Sequence, residues 1–291
     1  MPYAKGAKPS QPHKLATKKD AATHPMIAPL LAAASTIPAT CDLSQWQPAI
    51  LDQGQSGSCT AHSFSGSCST ACRKAGYALP FEPSPRETYA TTRGIERAEA
   101  TPAGQPLPAL TDSGAEPADV FTAGVTFGTS PMLGPTPDGR NSDIWTSADT
   151  TAQPENVNNE PDGNQLQQAG TTLVTGEYAI NVSASNLSDQ VAAALAAGFP
   201  VYTAFFCDTA FEQLQPGQIA QAPNQNDPNG GGHATYLSGY ITNADGSRTF
   251  TLTNSWGTGW CSSGKCLVSE AWLAACWELY VMDVVVQKAA A

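Results

Sequence analysis

Charged side chains, and positive ones above all, are scarce in this chain of 291 residues. Asp, Glu, Lys and Arg together make up 13% of it, about half of the usual share. Lys and Arg number 14 against 25 Asp and Glu, which gives a net charge of −11. Nucleic-acid binding depends on clustered cations that neutralise phosphates, so we expect no nucleic-acid partner.

Long apolar runs are also missing. The best candidate is Met26 to Ala34, which Pro29 interrupts, whereas a transmembrane helix needs about 18 to 20 apolar residues. We therefore expect no membrane association. Because lysines precede this run and alanines end it, residues 26–34 weakly resemble a secretory signal, but the basic stretch before them is long for one. A pro-segment that stays on the chain is the favoured interpretation of residues 1–36.

Histidine is scarce too, with four residues in the chain. A zinc site is disfavoured because it lacks both enough histidines and paired C-x-x-C spacing. Gly230 to Gly232 resembles a phosphate-binding loop only superficially, since no Lys-Ser or Lys-Thr follows it. We expect neither a metal nor another cofactor.

The charges that are present are unevenly placed. Residues 1–36, which we call the leader, carry a net charge of +4, and the remainder carries −15. A basic leader on an acidic body is either a targeting signal or a segment that docks on its own protein.

The order of predicted elements favours an α+β fold, with helices first and strands later. Residues 93–176, rich in Thr, Pro, Gly, Asn and Asp, are predicted to form long ordered loops around one short helix. Asp245-Gly246 is a strong hairpin signal. Helices are predicted at 59–75, 116–125 and 188–197, the last with Ser188 as N-cap, and strands at 199–206, 234–241 and 249–253.

Cys59 is the candidate nucleophile. It lies where Gly57-Ser58 enters a predicted helix, so the positive end of the helix dipole faces its sulfur and favours the thiolate. A base must come from elsewhere. His62 lies on the same helix and is interpreted as a surface or partly buried residue, whereas His233 lies between glycines and a strand. Asn254, at a strand end, can orient the imidazole without competing for its proton.

Three segments of the chain resemble the signature blocks of the papain-like cysteine peptidases. They are Gln53 to Cys59, Gly232-His233-Ala234, and Asn254 to Trp260. Asp112-Ser113-Gly114 resembles the glycine loop at the cleft edge of that family. The resemblance covers about residues 38–286, although 93–176 match poorly.

The resemblance implies a two-subdomain fold, one half mainly helical and the other an antiparallel β-barrel-like half, with the cleft between them. It implies a peptidase domain at 37–291, with 45–175 helical and 37–44 plus 176–291 β-rich. Cys59 would be the nucleophile, His233 the general base and then acid, Asn254 the orienter, and Gln53 the side-chain donor of the oxyanion hole. The substrate-binding positions would be Gly57, Ser58, Ser113, Gly114, Gly232, Ala234 and Trp256.

The chain also departs from the family pattern. Ser56 stands where the family usually has Cys, and Thr60 where it usually has Trp. These differences leave the triad in place but put substrate specificity in doubt. Glu116, near the glycine loop, is a candidate for a bias toward basic side chains, or else an acid favoured at a helix start. Cys68 with Cys72 and Cys261 with Cys266 lie close in sequence, but sequence does not establish disulfide connectivity.

The leading hypothesis is a monomeric endopeptidase acting on peptide or protein substrates, secreted or extracytoplasmic, with a cytoplasmic location left open. Its leader is expected to act as an intramolecular inhibitor whose Pro- and Ala-rich run lies extended in the cleft, backwards relative to substrate. A chain that starts at Ile37 would then be more active. The alternatives are an acyl-transfer or amidase enzyme on the same triad, and a non-catalytic binding module with this fold.

Overall fold

The structure is a computed structural model that describes residues 3–132, 157–158 and 171–288, with side chains left out at 171–172 and 286–288. The α-helices are α1 Pro12–Leu15, α2 Ala28–Ala32, α3 Cys59–Lys74, α4 Pro85–Ala100, α5 Pro117–Thr126, α6 Leu187–Ala196, α7 Thr209–Glu212 and α8 Glu270–Leu273. The strands are β1 Lys19–Asp20, β2 Thr40–Asp42, β3 Thr171–Ala179, β4 Val201–Cys207, β5 Ile219–Ala220, β6 Gly231–Thr242, β7 Arg248–Thr253, β8 Lys265–Ser269 and β9 Cys276–Lys288.

Helix α3 is the buried centre of the helical half. Its side chains are mostly small, and the hydroxyls of Ser67 and Thr70 bond back to carbonyls of the preceding turn, as from Thr70 Oγ1 to Gly66 O at 2.7 Å. That pattern satisfies buried hydroxyls without a polar neighbour. The helix ends as predicted, because Gly76 adopts the left-handed conformation (φ 85°) that terminates helices.

The prediction of loops throughout residues 93–176 is wrong at both ends of that range. Helix α4 continues to Ala100, and β3 begins at Thr171. Ser84 caps α4 by accepting a hydrogen bond from Glu87 N at 2.9 Å, and Pro85 occupies the first turn. This start signal was present in the sequence, but few apolar side chains mark the helix. Most of the predicted loop region lies outside the described residues.

The second half is one mostly antiparallel sheet with the strand order β1-β3-β9-β4-β6-β7-β8-β5, and β2 also pairs with β6. The predicted hairpin joins β6 to β7, with Gly246 at φ 88°. Helix α6 is confirmed, but Ser188 is not its N-cap. It lies inside the helix, and its hydroxyl donates to Glu270.

Apolar side chains cover both faces of the sheet. On one face, Phe64 of α3 and Phe121 of α5 pack with Tyr202 and Tyr280, and ring centroids are 4.8–5.5 Å apart where Phe121 meets Phe64, Tyr202 and Tyr280. The other face holds a second core around β4 and α6. The helical half therefore packs against one face of the sheet, which is the α+β arrangement of a papain-like fold.

The leader is packed onto the body. Strand β1 pairs in parallel with β3, and Ala21 and Ile27 are each 1% exposed within the second core. The signal-like stretch contains the short helix α2. Within the described part of the chain, none of the helices combines the length and the apolar character that a membrane crossing requires.

Candidate active site

Cys59 is the first residue of α3 and is completely buried. Burial raises the pKa of its thiol, and the nearby backbone N–H groups of Ala234 and Thr60 in the body and of Gly6 and Ala7 in the leader lower it. A helix N-terminus and a neighbouring strand thus direct partial positive charge at one thiol, a setting that stabilises negative charge on sulfur.

His233 lies on β6 directly before Ala234, whose N–H lowers the pKa of the Cys59 thiol. Its Nε2 is 2.8 Å from Asn254 Oδ1, and its ring stacks on Trp256 with centroids 4.4 Å apart and planes 21° apart. Because an amide oxygen accepts, Nε2 carries the proton. Among the described residues, His233 Nδ1 has no hydrogen-bond partner. The imidazole therefore has one nitrogen anchored and one available as a base.

Gln53 is buried, with its amide oriented by the protein. Its Oε1 accepts from Ser255 Oγ at 2.6 Å, which leaves Nε2 as the donor on the cleft side. Nε2 donates to Ser56 O at 2.9 Å and to Ala4 O, a leader carbonyl, at 3.2 Å. The structure therefore brings Gln53 to the same site as Cys59, His233 and Asn254.

The other sequence-predicted positions divide into those that meet the leader and those that do not. Gly232 O accepts from Ala7 N at 2.9 Å, and Trp256 stacks on Tyr3 with centroids 4.4 Å apart. Gly57 and Gly114 lie against Gly6, and Ala234 contacts Cys59. Ser58 does not face the cleft, because its hydroxyl lies 2.6 Å from Ser56 Oγ and 3.1 Å from His62 Nδ1. Ser113 is exposed; its hydroxyl donates to Gly114 O and its N–H to Thr111 O.

A hydrogen-bond chain that sequence reasoning did not assign supports the cleft wall. Both carboxylate oxygens of Asp112 accept from Gly57 N at 3.0 Å, and Tyr89 OH donates to Asp112 at 2.7 Å. Tyr89 OH in turn accepts from Gly114 N at 2.8 Å. Asp112 thus ties the loop before Cys59 to the glycine loop opposite. The only signal in sequence was its position beside Ser113-Gly114.

His62 is more buried than its sequence interpretation suggested, at 2% exposure. Its Nδ1 lies 3.0 Å from Ser58 O, and burial lowers its pKa to about 4. Through these contacts with Ser58, His62 helps to hold the loop that precedes Cys59 in place.

Residues 3–10 of the leader occupy the cleft, and not the Pro- and Ala-rich run that the sequence suggested. Ala7 pairs with Ala115 in parallel orientation: Ala115 N donates to Gly6 O at 2.8 Å, and Lys8 N donates to Ala115 O at 3.0 Å. The run 26–34 lies elsewhere, against the sheet half, because Ile27 is drawn into that apolar core.

The leader lysines meet acidic groups of the body, as the charge distribution predicted. Lys14 Nζ lies 2.5 Å from Asp119 Oδ2, and burial raises the pKa of this carboxyl to about 6 while the lysine opposes that rise. The further pairs of the leader lysines are Lys5–Glu212, Lys8–Glu96, Lys14–Glu99, Lys14–Glu116 and Lys18–Glu177.

Burial under the leader holds Cys59 and His233 in their neutral forms. It raises the pKa of Cys59 to about 11, although the N–H groups around the sulfur oppose this. It lowers the pKa of His233 to about 3, which the Asn254 hydrogen bond opposes and the positive charge of Lys5 reinforces. A buried pair without water loses the charge separation that makes a thiol nucleophilic.

We therefore expect iodoacetamide to alkylate Cys59 of the intact chain slowly at neutral pH. The raised pKa means that the thiolate is absent below about pH 11 and appears only as the pH rises through that value. Timed alkylation across the neutral and alkaline range, followed by mass spectrometry of the Cys59 peptide, measures this.

The control is the Gly6→Val chain, in which a Cβ at position 6 would lie 1.9 Å from Gly57 O, so that residues 3–10 cannot seat. Its Cys59 should react readily at neutral pH. Equal rates in the two chains at neutral pH would show that the leader does not control the thiol.

All eight cysteines are free, including both pairs close in sequence. Cys68 and Cys72 are hydrogen-bonded to each other within α3, and burial also raises the pKa of Cys68. In the described segments, no cluster of three His, Cys, Asp or Glu side chains is arranged to hold a metal ion.

Residues 143–276 match the sequence model of the papain family cysteine proteases. This range contains His233 and Asn254 but begins after Gln53 and Cys59. Among curated proteins, none matches the chain's sequence significantly.

Solved structures resemble the chain along nearly its whole length. Xylellain, a cysteine protease from Xylella fastidiosa, superposes with a TM-score of 0.72 at 21% identity over 97% of both chains. ProCathepsin B S9 from Trypanosoma congolense superposes with a TM-score of 0.65 at 13% identity, over 97% of this chain and 87% of its own. Digestive procathepsin L 3 of Tenebrio molitor superposes with a TM-score of 0.59 at 19% identity, over 96% of this chain and 75% of its own. At these identities the likeness establishes the fold.

Proposed function

We propose that this chain is a papain-like cysteine protease and that it acts as an endopeptidase with Cys59 as nucleophile. The family match over residues 143–276 and the fold shared with xylellain support this proposal. The observation that carries the proposal is the shared site of the Cys59 thiol, the free Nδ1 of His233 and the Gln53 amide. An amidase or acyl transferase could use the same groups, and cleavage mapping on peptides distinguishes them.

The reaction begins once the cleft is open to water and substrate. His233 Nδ1 takes the Cys59 proton, and the sulfur attacks the scissile carbonyl to form a tetrahedral intermediate. His233 then gives the proton to the leaving amine as the C–N bond breaks. Water, deprotonated by His233, attacks the resulting thioester and releases Cys59 with the acid product. Asn254 acts as a positioning residue, because it holds Nε2 and thereby keeps Nδ1 toward the sulfur.

Gln53 Nε2 and the Cys59 N–H are proposed to stabilise the oxyanion. In the structure Gln53 Nε2 donates to a peptide carbonyl of the leader, Ala4 O, and this supports a role in binding the carbonyl oxygen of a substrate. Such donors act most strongly when they are held in place before charge develops, as Ser255 holds the Gln53 amide.

Replacing Gln53 by Glu is expected to lower kcat by about 10²- to 10³-fold, the usual effect of losing one oxyanion donor. The substitution keeps an acceptor for Ser255 Oγ but removes the donor. Hydrolysis of an internally quenched peptide by the Gly6→Val chain measures the effect. Gln55→Glu is the matched control, since Gln55 is exposed and should leave kcat unchanged. Equal kcat in the two variants would remove Gln53 from the mechanism.

The leader is proposed to keep the enzyme latent until it is displaced or cut. Three features support this: Ala4 O occupies the Gln53 donor, Tyr3 covers Trp256, and residues 6–8 bond the cleft walls. The parallel pairing of Ala7 with Ala115 agrees with a leader that runs backwards relative to substrate, so that its peptide bonds are not presented for attack. A secreted or extracytoplasmic location and a monomeric state remain predictions.

A further inference from the structure

Three polar residues close to the nucleophile are buried and take no part in the mechanism above: Ser56, Ser58 and His62. Ser56 is one of the departures from the family pattern, and Ser58 was expected to bind substrate but faces away from the cleft. Burying a hydroxyl or an imidazole is costly unless the group is hydrogen-bonded, so the partners of these side chains show what they do.

The side chains of His62, Ser58 and Ser56 form a continuous row of hydrogen bonds, which we call the hydroxyl relay. His62 Nδ1 lies 3.1 Å from Ser58 Oγ, and Ser58 Oγ lies 2.6 Å from Ser56 Oγ. Ser56 Oγ then donates to Gln53 O at 2.8 Å. The relay therefore runs from the interior of α3 to the residue proposed as oxyanion donor.

The proton on the imidazole of His62 sets the direction in which the relay donates. Burial lowers the pKa of His62 to about 4, so the ring is neutral at neutral pH and carries one proton. Nδ1 also lies 3.0 Å from Ser58 O, and because a carbonyl oxygen can only accept, that proton is on Nδ1. Nδ1 donates to Ser58, the Ser58 hydroxyl donates to Ser56, and the Ser56 hydroxyl donates to Gln53 O. Each hydroxyl of the relay thus accepts once and donates once.

Three hydrogen bonds between Ser56 and Gln53 connect the relay to the oxyanion donor. Ser56 N and Ser56 Oγ both donate to Gln53 O, at 3.2 and 2.8 Å, and Gln53 Nε2 donates back to Ser56 O at 2.9 Å. A displacement of Ser56 would therefore displace the Gln53 amide. Misplacing a group that acts on the transition state by about 1 Å can cost about 10²-fold in rate.

We propose that His62 is a positioning residue of the oxyanion hole, and that it acts on Gln53 through the hydroxyls of Ser58 and Ser56. Donors that stabilise an oxyanion work best when they are held in place before charge develops. Ser255 holds one end of the Gln53 amide, and the hydroxyl relay holds the residue that bonds the other end. This inference rests on the oxyanion role proposed for Gln53 above.

Ser58→Ala tests the relay in the full-length Gly6→Val chain, because it removes the middle hydroxyl and leaves the bond from His62 to Ser58 O. We expect kcat for the quenched peptide to fall by about 5- to 50-fold, part of the loss for a whole donor, while KM stays within about twofold. The kcat is referred to enzyme titrated with an epoxide thiol inhibitor, so that unfolded protein does not count.

Ser67→Ala is the matched control. Ser67 is an equally buried serine on α3, but its hydroxyl bonds carbonyls of its own helix. Its substitution should leave kcat unchanged. An unchanged kcat for Ser58→Ala, or an equal fall for Ser67→Ala, overturns the proposal.

The Gln53→Glu background separates positioning of the donor from general loosening of the loop. The donor is already lost there, so Ser58→Ala should lower kcat by less than about twofold further, as for two changes that act on one interaction. A further loss as large as in the Gly6→Val chain with Gln53 intact overturns the proposal.

Two substitutions test His62 itself. His62→Asn keeps an N–H donor close to the place of Nδ1, whereas His62→Phe keeps a ring and removes the donor. We expect His62→Asn to retain kcat within about threefold and His62→Phe to lower it by about 5- to 50-fold, as for Ser58→Ala. Equal kcat values for the two variants would overturn the role of His62.

A measurement without catalysis separates failure of the relay from failure of the peptidase proposal. NMR of the full-length chain with isotope-labelled histidine and glutamine shows which nitrogen of His62 carries the proton and how the Gln53 side-chain amide is held. We expect a protonated Nδ1, and a Gln53 amide signal that Ser58→Ala shifts and Ser67→Ala does not.

A proton on Nε2 of His62, or a Gln53 signal that Ser58→Ala leaves unchanged, overturns the relay even in a chain that cleaves peptides. If both NMR results are as expected and the Gly6→Val chain cleaves no peptide, the relay stands as a structural link and the peptidase proposal fails, together with the catalytic role of Gln53 and His62.

Discussion

Replacing Cys59 by alanine should lower kcat for peptide hydrolysis by on the order of 10⁴- to 10⁶-fold, the effect of removing a covalent nucleophile. Cys59 is the first residue of α3, and the N–H groups of Thr60 and Ala234 lower the pKa of its thiol. Among the described residues no side chain hydrogen-bonds His233 Nδ1, so no substitute nucleophile is held on this nitrogen. Cleavage of a quenched peptide by the Gly6→Val chain, with and without Cys59→Ala, measures the loss.

Cys68→Ala is the control for this experiment. Cys68 is an equally buried thiol on the same helix, but it bonds Cys72 rather than the cleft. Its substitution should leave both kcat and labelling by an epoxide thiol inhibitor intact, whereas Cys59→Ala should abolish both. Retained hydrolysis after Cys59→Ala, with thermal unfolding unchanged, would overturn the thiol mechanism. Loss of labelling without loss of hydrolysis would do so as well.

Gly6→Val should raise the peptidase activity of the intact chain by about 10- to 100-fold. A Cβ on residue 6 would meet Gly57 O at 1.9 Å, and the overlap is with backbone, which cannot rotate away. Overpacking of this kind costs about 1–3 kcal/mol, and each 1.4 kcal/mol changes the open population tenfold while that population is small. Activity is measured as kcat/KM on the same quenched peptide, before any cleavage of the leader.

The control for this prediction is Ala16→Val, which adds bulk to an exposed leader residue. It should leave the activity unchanged. A single substitution tests latency more cleanly than deletion of the leader, because Ala21 and Ile27 belong to the hydrophobic core and their loss would destabilise the fold. Equal activity of Gly6→Val and the parent, with the leader still attached in both, would count against an inhibitory leader.

Several features of the fold were readable from local sequence because local interactions decide them. Helix α3 ends at a left-handed glycine, and the β6–β7 hairpin turns on Asp245-Gly246. Helix α4 escaped prediction because polar and charged residues fill its buried positions, among them Arg86 and Glu87. Strand β9 escaped prediction because it is held by pairing with the distant strands β3 and β4, and propensity alone distinguishes such a segment poorly.

The sequence by itself determined which residues were candidates for the chemistry. Cys59 after a glycine turn, His233 before a strand and Asn254 at a strand end are recognisable from residue type and position. Gln53 is recognisable only through the resemblance of its segment to the papain-like cysteine peptidases. Charge distribution likewise showed a basic leader facing an acidic body.

Only the tertiary structure decided what those residues meet. Residues 3–10 fill the cleft because their backbone bonds Ala115 and Gly232 on its two sides, whereas Ile27 is buried in the core of the sheet half. The tertiary structure turned Ser58 away from the cleft, and it brought Ser10 to Glu278 across 268 residues of chain. Such contacts depend on the packing of distant segments, and the neutral state of Cys59 and His233 follows from the same packing, since burial by the leader sets it.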